Sequence, residues 1–141
     1  MLRQTMLGSI AAALLAPALL VTASAAPARA AEDHHEWGAI AADDGKLRKG
    51  CRKYSYDYAI APPEGDWRLE TFLVDPRGET LASHHVSTGL YPLTGTRRFK
   101  ICQAVTTTGR FEIRGLLTVQ NGPNETVTGW IQPAVFKLRK R

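Results

Sequence analysis

Residues 51–60 read CRKYSYDYAI, and the alternation in this stretch decides the fold class. Tyr54, Tyr56, Tyr58 and Ile60 fall on one face at period two, while Lys53, Ser55 and Asp57 fall on the other. That is the pattern of a half-buried strand, and aromatic rings suit its inner face. The same period recurs in RFEIRGLLTV (110–119), with Phe111, Ile113, Leu117 and Val119 in phase. Gly115 occupies an inward position there and implies a bulge or a close backbone approach. Between these two lie WRLETFLV (67–74), with Trp67, Leu69 and Leu73 in phase, and TRRFKIC (96–102), with Phe99 and Ile101 inward.

Turn chemistry separates the strands. Pro62, Pro63 and Gly65 end the first, and Asp75-Pro76-Arg77-Gly78 suits a type I turn, with Pro second and Gly fourth. The strand after it, 79–86, is expected to fold back as a hairpin. Gly89, Pro92 and Gly95 mark a loop, and Thr106 to Gly109 and Asn121 to Asn124 mark two turns. VTGWIQ (127–132) and VFKLR (135–139) close the chain, with Pro133 marking a kink or edge between them. Seven to eight short strands result, with no convincing helical period outside the leader. The expected fold is all-β, an antiparallel β-sandwich.

The N-terminus reads as a signal peptide over residues 1–30. Arg3 supplies a positive start and IAAALLAPALLV (10–21) an apolar run. Ala28-Arg29-Ala30 is the preferred cleavage site, with Ala23-Ser24-Ala25 the alternative. No later stretch is long and apolar enough to span a membrane. Residues 31–44 are expected as a flexible arm holding a possible first strand (WGAIAA, 37–42), and 45–141 as a single domain. Cleavage at residue 30 removes two of the 18 basic residues, Arg3 and Arg29, and lowers the net charge from +5 to +3. That excess permits contact with anionic polymers without demanding it.

The chain has two cysteines, Cys51 and Cys102. In an exported chain they are expected to pair. Cys51 has the opposite parity to the tyrosine row, and Cys102 the opposite parity to Phe99 and Ile101. Both sulfurs are therefore expected to point away from the core, as an outer or end clasp between neighbouring strands.

Parity also yields a register if 97–103 and 110–119 form a hairpin. Phe99 then faces Ile113, Ile101 faces Phe111, and Lys100 faces Glu112 on the outer surface. Arg98 would face Arg114, an unfavourable pair that wants an anion. This reasoning nominates Arg98, Lys100, Arg110 and Arg114 as an anion-binding set. Further basic residues cluster at Lys46, Arg48, Lys49, Arg52 and Lys53, and at Lys137, Arg139, Lys140 and Arg141. The bland reading of all of them is ordinary solubility, since Asp and Glu are interspersed.

Catalytic signatures are missing: no G-x-S-x-G, no H-E-x-x-H and no phosphate-cradling glycine loop occurs. No cofactor is implied. His34-His35 and His84-His85 are adjacent pairs, and neighbours on a strand point to opposite faces, so neither pair chelates a metal alone. The expected function is a non-catalytic secreted binding module. Its partner would be an anionic cell-envelope polymer or an extracellular protein, engaged through a cationic face, and export argues against nucleic acid. The alternatives are a secreted inhibitor or antimicrobial factor acting through the loop bounded by Gly89 and Gly95, or metal capture by the histidine pairs.

Cys51, the tyrosine row, Trp67, the LVDPRG turn, Cys102 and GRFEIRG together resemble a group of small exported single-disulfide proteins of actinobacteria with no assigned activity. The resemblance implies secretion and a β-fold. At the level of architecture, the order Cys51, Trp67, Cys102 resembles an immunoglobulin-like sandwich. The departures are Lys100 where a Tyr would precede the second cysteine, and a second cysteine on the fifth strand.

Overall fold

The structure is a computed structural model and describes residues 30–140. The expected leader (1–30) lies outside these residues except for Ala30, as does Arg141. The described chain is all-β, with ten strands and two short 3-10 turns. The strands are β1 (Glu32–Asp33), β2 (Gly38–Ala41), β3 (Gly45–Lys46), β4 (Cys51–Ile60) and β5 (Asp66–Val74). They continue with β6 (Thr80–Ser87), β7 (Thr94–Cys102), β8 (Gly109–Gln120), β9 (Thr126–Trp130) and β10 (Ala134–Arg139).

Two sheets form. The three-stranded sheet is ordered β2-β4-β7, and the seven-stranded sheet is built on β8. β5 lies along one edge of β8 and carries β6 outside it. The other edge of β8 is shared, β10 covering its first half and β9 its second. Trp130 stands opposite Leu116 while Ala134 stands opposite Ile113, so the β9–β10 chain carries one extra residue at the kink expected from Pro133.

The core is the set of in-phase residues on the facing sides of the two sheets. Tyr56, Tyr58 and Ile60 of β4 and Phe99 and Ile101 of β7 are buried against Phe111, Ile113, Leu117 and Val119 of β8. Gly115 sits where the layers come closest. A Cβ there would lie 2.8 Å from both Ile40 of the small sheet and Ile131 of the β9–β10 kink. The close approach read from the sequence is real.

Several expectations are corrected. β7 and β8 are not a hairpin: β7 pairs with β4, Phe99 opposite Tyr54, and β8 pairs with β5, Leu73 opposite Ile113. Parity says which face a residue takes but not which strand lies beside it. Here a 3-10 turn at Gln103–Val105 carries the chain from one sheet to the other. Residues 31–44 are no free arm. Glu32–Asp33 pairs in parallel with Gly129–Trp130, and Gly38–Ala41 pairs with β4, the expected first strand. The strands number ten, because β1 and β3 are two-residue parallel pairings that no hydrophobic period announces.

The disulfide joins Cys51 and Cys102, directly opposite each other at the end of β4 and β7. It is an end clasp within one sheet, as the parity argument required. An immunoglobulin domain bridges its two sheets instead, so the likeness is limited to layered architecture.

The Asp75-Pro76-Arg77-Gly78 turn forms, its Gly78 N–H donating to the Asp75 carbonyl, and it closes the β5–β6 hairpin. The Asp75 side chain is fully buried. Its Oδ1 accepts from the backbone N–H groups of Arg77 (2.9 Å) and Glu79 (3.0 Å). Its Oδ2 accepts from Arg77 Nε (3.1 Å) and the Thr106 hydroxyl (2.9 Å), which ties the hairpin to the segment after β7. Burial alone would raise this carboxyl, but the hydrogen bonds from Glu79, Thr106 and Arg77 outweigh it and hold it below the ordinary 3.8. With the folded value depressed, its stabilisation is fully present above that ordinary value and is lost as pH falls through the lower folded one. Asp75→Ala is expected to lower Tm by several degrees at pH 7 and to flatten the acid limb of a Tm-against-pH series. An acid limb as steep as that of the unaltered protein would show that other carboxylates carry it.

Candidate functional site

The basic residues of the segment between β3 and β4 are held in place by one tyrosine. Tyr54 is the member of the inward row nearest the end of the sheet and is only partly covered. Its hydroxyl accepts from the Arg48 backbone N–H and donates to the Lys46 carbonyl, both at 3.0 Å. Leu47 between them is buried, and its N–H donates to the Arg139 carbonyl. Gly50, with φ of 76°, turns the chain into β4. Lys46, Arg48, Lys49 and Arg52 are thereby left around one open concavity of about 420 Å³ beside the clasp.

The outer face of the small sheet continues this charge. The β4–β7 register sets Lys53 directly opposite Lys100 and Ser55 opposite Arg98. Like charges opposed across a strand pair are destabilising. None of Lys46, Arg48, Lys49, Arg52, Lys53, Arg98 or Lys100 has a carboxylate within ion-pairing distance among the described residues. The acid on that face, Asp57, accepts from the Thr96 hydroxyl.

The set Arg98, Lys100, Arg110 and Arg114 is divided by this topology. Arg98 and Lys100 lie on the outer face of the small sheet, Arg110 and Arg114 on the outer face of the large one. Arg114 is already engaged, its guanidinium 4.2 Å over the Trp130 ring and 3.9 Å from Glu112. Arg110 stands opposite Lys137. Two of the four therefore join the basic end, and two do not.

A second constellation lies where β6 and β7 face each other, each with one edge that no strand pairs among the described residues. Phe99 stacks with both Tyr56 (centroids 4.9 Å apart) and His84 (4.4 Å). The Tyr56 hydroxyl lies 2.8 Å from the Thr71 hydroxyl and 3.5 Å from His84 Nδ1. Burial, then the charges of Arg97 and His85, hold the His84 imidazole below its ordinary value. Burial raises Tyr56, against the Thr71 hydrogen bond and the Arg97 charge. Arg97 shares the inner face with Phe99 and Ile101, and its guanidinium sits 5.1 Å over the Tyr91 ring. Its parity was visible in the sequence, but its place on a free edge was not.

His34 stacks on Trp37 and pairs with Glu36, while His84 stacks on Phe99. No group of three or more His, Cys, Asp or Glu side chains able to hold a metal occurs among the described residues. Within the 89–95 loop, Leu90 is 79% exposed. Its backbone is turned rather than extended, since the N–H groups of Leu90 and Tyr91 both donate to the Ser87 carbonyl. The Tyr58 hydroxyl braces the loop by donating to the Pro92 carbonyl.

These features define a two-sheet β-sandwich with an in-sheet clasp and an unneutralised basic end. Comparison with known proteins finds no matching family model, no matching curated protein and no matching solved structure.

Proposed function

We propose that this protein is a secreted, non-catalytic binding module that holds an anionic polymer of the cell envelope against the basic end beside its disulfide. The observation that carries the reading is the group Lys46, Arg48, Lys49, Arg52, Lys53 and Lys100, gathered at one end without a carboxylate partner among the described residues. A folded protein gains nothing in stability from opposing Lys53 to Lys100, so an external anion is the natural counter-charge. The leader-like N-terminus and the disulfide support an oxidising, extracytoplasmic setting. Repeated anionic groups along a polymer would engage several of these side chains together, which raises retention well above that of a single ion pair.

The test is retention of residues 31–141 on isolated envelope material across a salt series. Charge reversal at Lys49, Arg52 and Lys53 to Glu is expected to weaken retention by about tenfold or more at low salt and to flatten its salt dependence. Reversal at Arg110 and Lys137 on the large sheet is expected to leave it near the unaltered level. Equal losses from both variants, or retention that survives high salt, would overturn the assignment to the basic end.

A further inference from the structure

We propose that the free edge of β7 is a docking strand for an extended acidic peptide of a partner protein, adjoining the polymer site at the basic end, with which it shares Arg98 and Lys100. β7 pairs with β4 on one side, and among the described residues no strand pairs with its other side. The hydrogen-bond alternation of an antiparallel pair decides which groups are available. Gln103 N–H donates to the Gly50 carbonyl and Ile60 N–H to the Leu93 carbonyl at the two ends of the pairing. That phase turns the N–H and C=O groups of Gly95, Arg97, Phe99 and Ile101 toward β4. Those of Thr96, Arg98 and Lys100 point to the open side.

The side chains along this edge select the occupant. Arg98 and Lys100 stand on its outer face and Arg97 on its inner face, none with a carboxylate partner among the described residues. Arg97 borders a cleft of about 380 Å³ lined with His84, Thr96 and Arg98, on the side where β6 is also unpaired. An added strand places successive side chains alternately on the two faces. A run of acidic residues would therefore meet Arg98 outside and Arg97 inside at the same time. A second copy of β7 is the poorer occupant. Antiparallel pairing of two such edges about their middle sets Arg98 against Arg98, the kind of charge that natural edges use against self-association. The charges that repel a copy attract an acidic strand.

The probe is a labelled heptapeptide with a central glutamate triplet flanked by Val and Thr, titrated against the oxidised protein at moderate salt. Three comparisons of binding and one of amide exchange decide the matter. A glutamine version should bind at least tenfold more weakly, and so should a version N-methylated at alternate residues, which keeps the charge but loses backbone donors. Arg97→Glu, on the inner face and outside the basic end, should lose binding by a similar factor while retaining the envelope polymer through Lys49, Arg52 and Lys53. In the wild-type complex, amide exchange at Thr96, Arg98 and Lys100 should slow by about tenfold or more, with little change at Phe99 and Ile101, which β4 already protects. Equal binding of the methylated peptide would reduce the edge to a charged surface and overturn the proposal. So would absence of binding by the glutamate peptide, or equal binding by the glutamine one. The methylated-peptide arm uses unaltered protein and decides even if the Arg variant folds poorly.

Discussion

Replacing Cys51 and Cys102 with serine is expected to lower the unfolding free energy by about 4 kcal/mol, the chain-entropy value for a loop of this length. The two residues are separated by 51 positions. The loop they close is not a local one. Between β4 and β7 the chain leaves the small sheet, builds the β5–β6 hairpin in the large one and returns. The clasp thus restricts, in the unfolded chain, the long excursion that the β4–β7 pairing must otherwise close by itself. Against a net stability of roughly 5–15 kcal/mol for a domain, that loss leaves little margin. Urea unfolding of the oxidised protein and the double serine variant measures it. A difference under about 1 kcal/mol would mean that the unfolded chain retains enough order to make the constraint redundant.

The second large effect lies at Phe99, which is 1% exposed and stacks with both Tyr56 and His84. Phe99→Ala is expected to cost about 3–5 kcal/mol, from lost burial and the cavity left between the sheets. It should also change how stability depends on pH. Burial and nearby positive charge depress the folded value of His84, so the contribution of its neutral form is fully present above the unfolded value. That contribution is lost as pH falls from there through the lower folded value. Without the ring beneath it, His84 gains solvent and its value should rise toward the ordinary 6.5. NMR titration of His84 in Phe99→Leu, which keeps most of the volume, reads this effect apart from unfolding. An unchanged titration there, with the expected stability loss in Phe99→Ala, would assign the depression to Arg97 and His85 rather than to packing.

What was legible in the sequence follows from period two. The tyrosine row, the inward face of β8, the close approach at Gly115 and the orientation of the clasp each depend on which face a residue takes, and alternation fixes that. The β5–β6 hairpin was legible because Asp75, Pro76 and Gly78 specify a tight turn whatever the rest of the chain does. The neighbour of β7 was not legible, because Phe99 and Ile101 match the parity of Tyr54 and Arg52 as well as that of Ile113 and Phe111. Choosing the nearer strand in sequence put Arg98 beside Arg114, and the anion site drawn from that choice came apart with it. The basic end was half visible. Lys46, Arg48, Lys49 and Arg52 are close in sequence, but the two Tyr54 hydrogen bonds that hold their segment run between a strand side chain and loop backbone, a contact that no hydrophobic pattern encodes.

The pairing of Glu32–Asp33 with β9, of Ala39 with Gln132, and of β3 with β10 sets the beginning of the described chain beside its end. That arrangement imposes an order of assembly. A polypeptide that emerges N-terminus first, from a ribosome or through a narrow pore, offers β1 and β3 nothing to pair with until residues 126–139 have also emerged. Both cysteines are out well before then, so the clasp can form around an open layer. The contact of Ile131 with Gly115 is likewise available only after the β9–β10 kink has emerged.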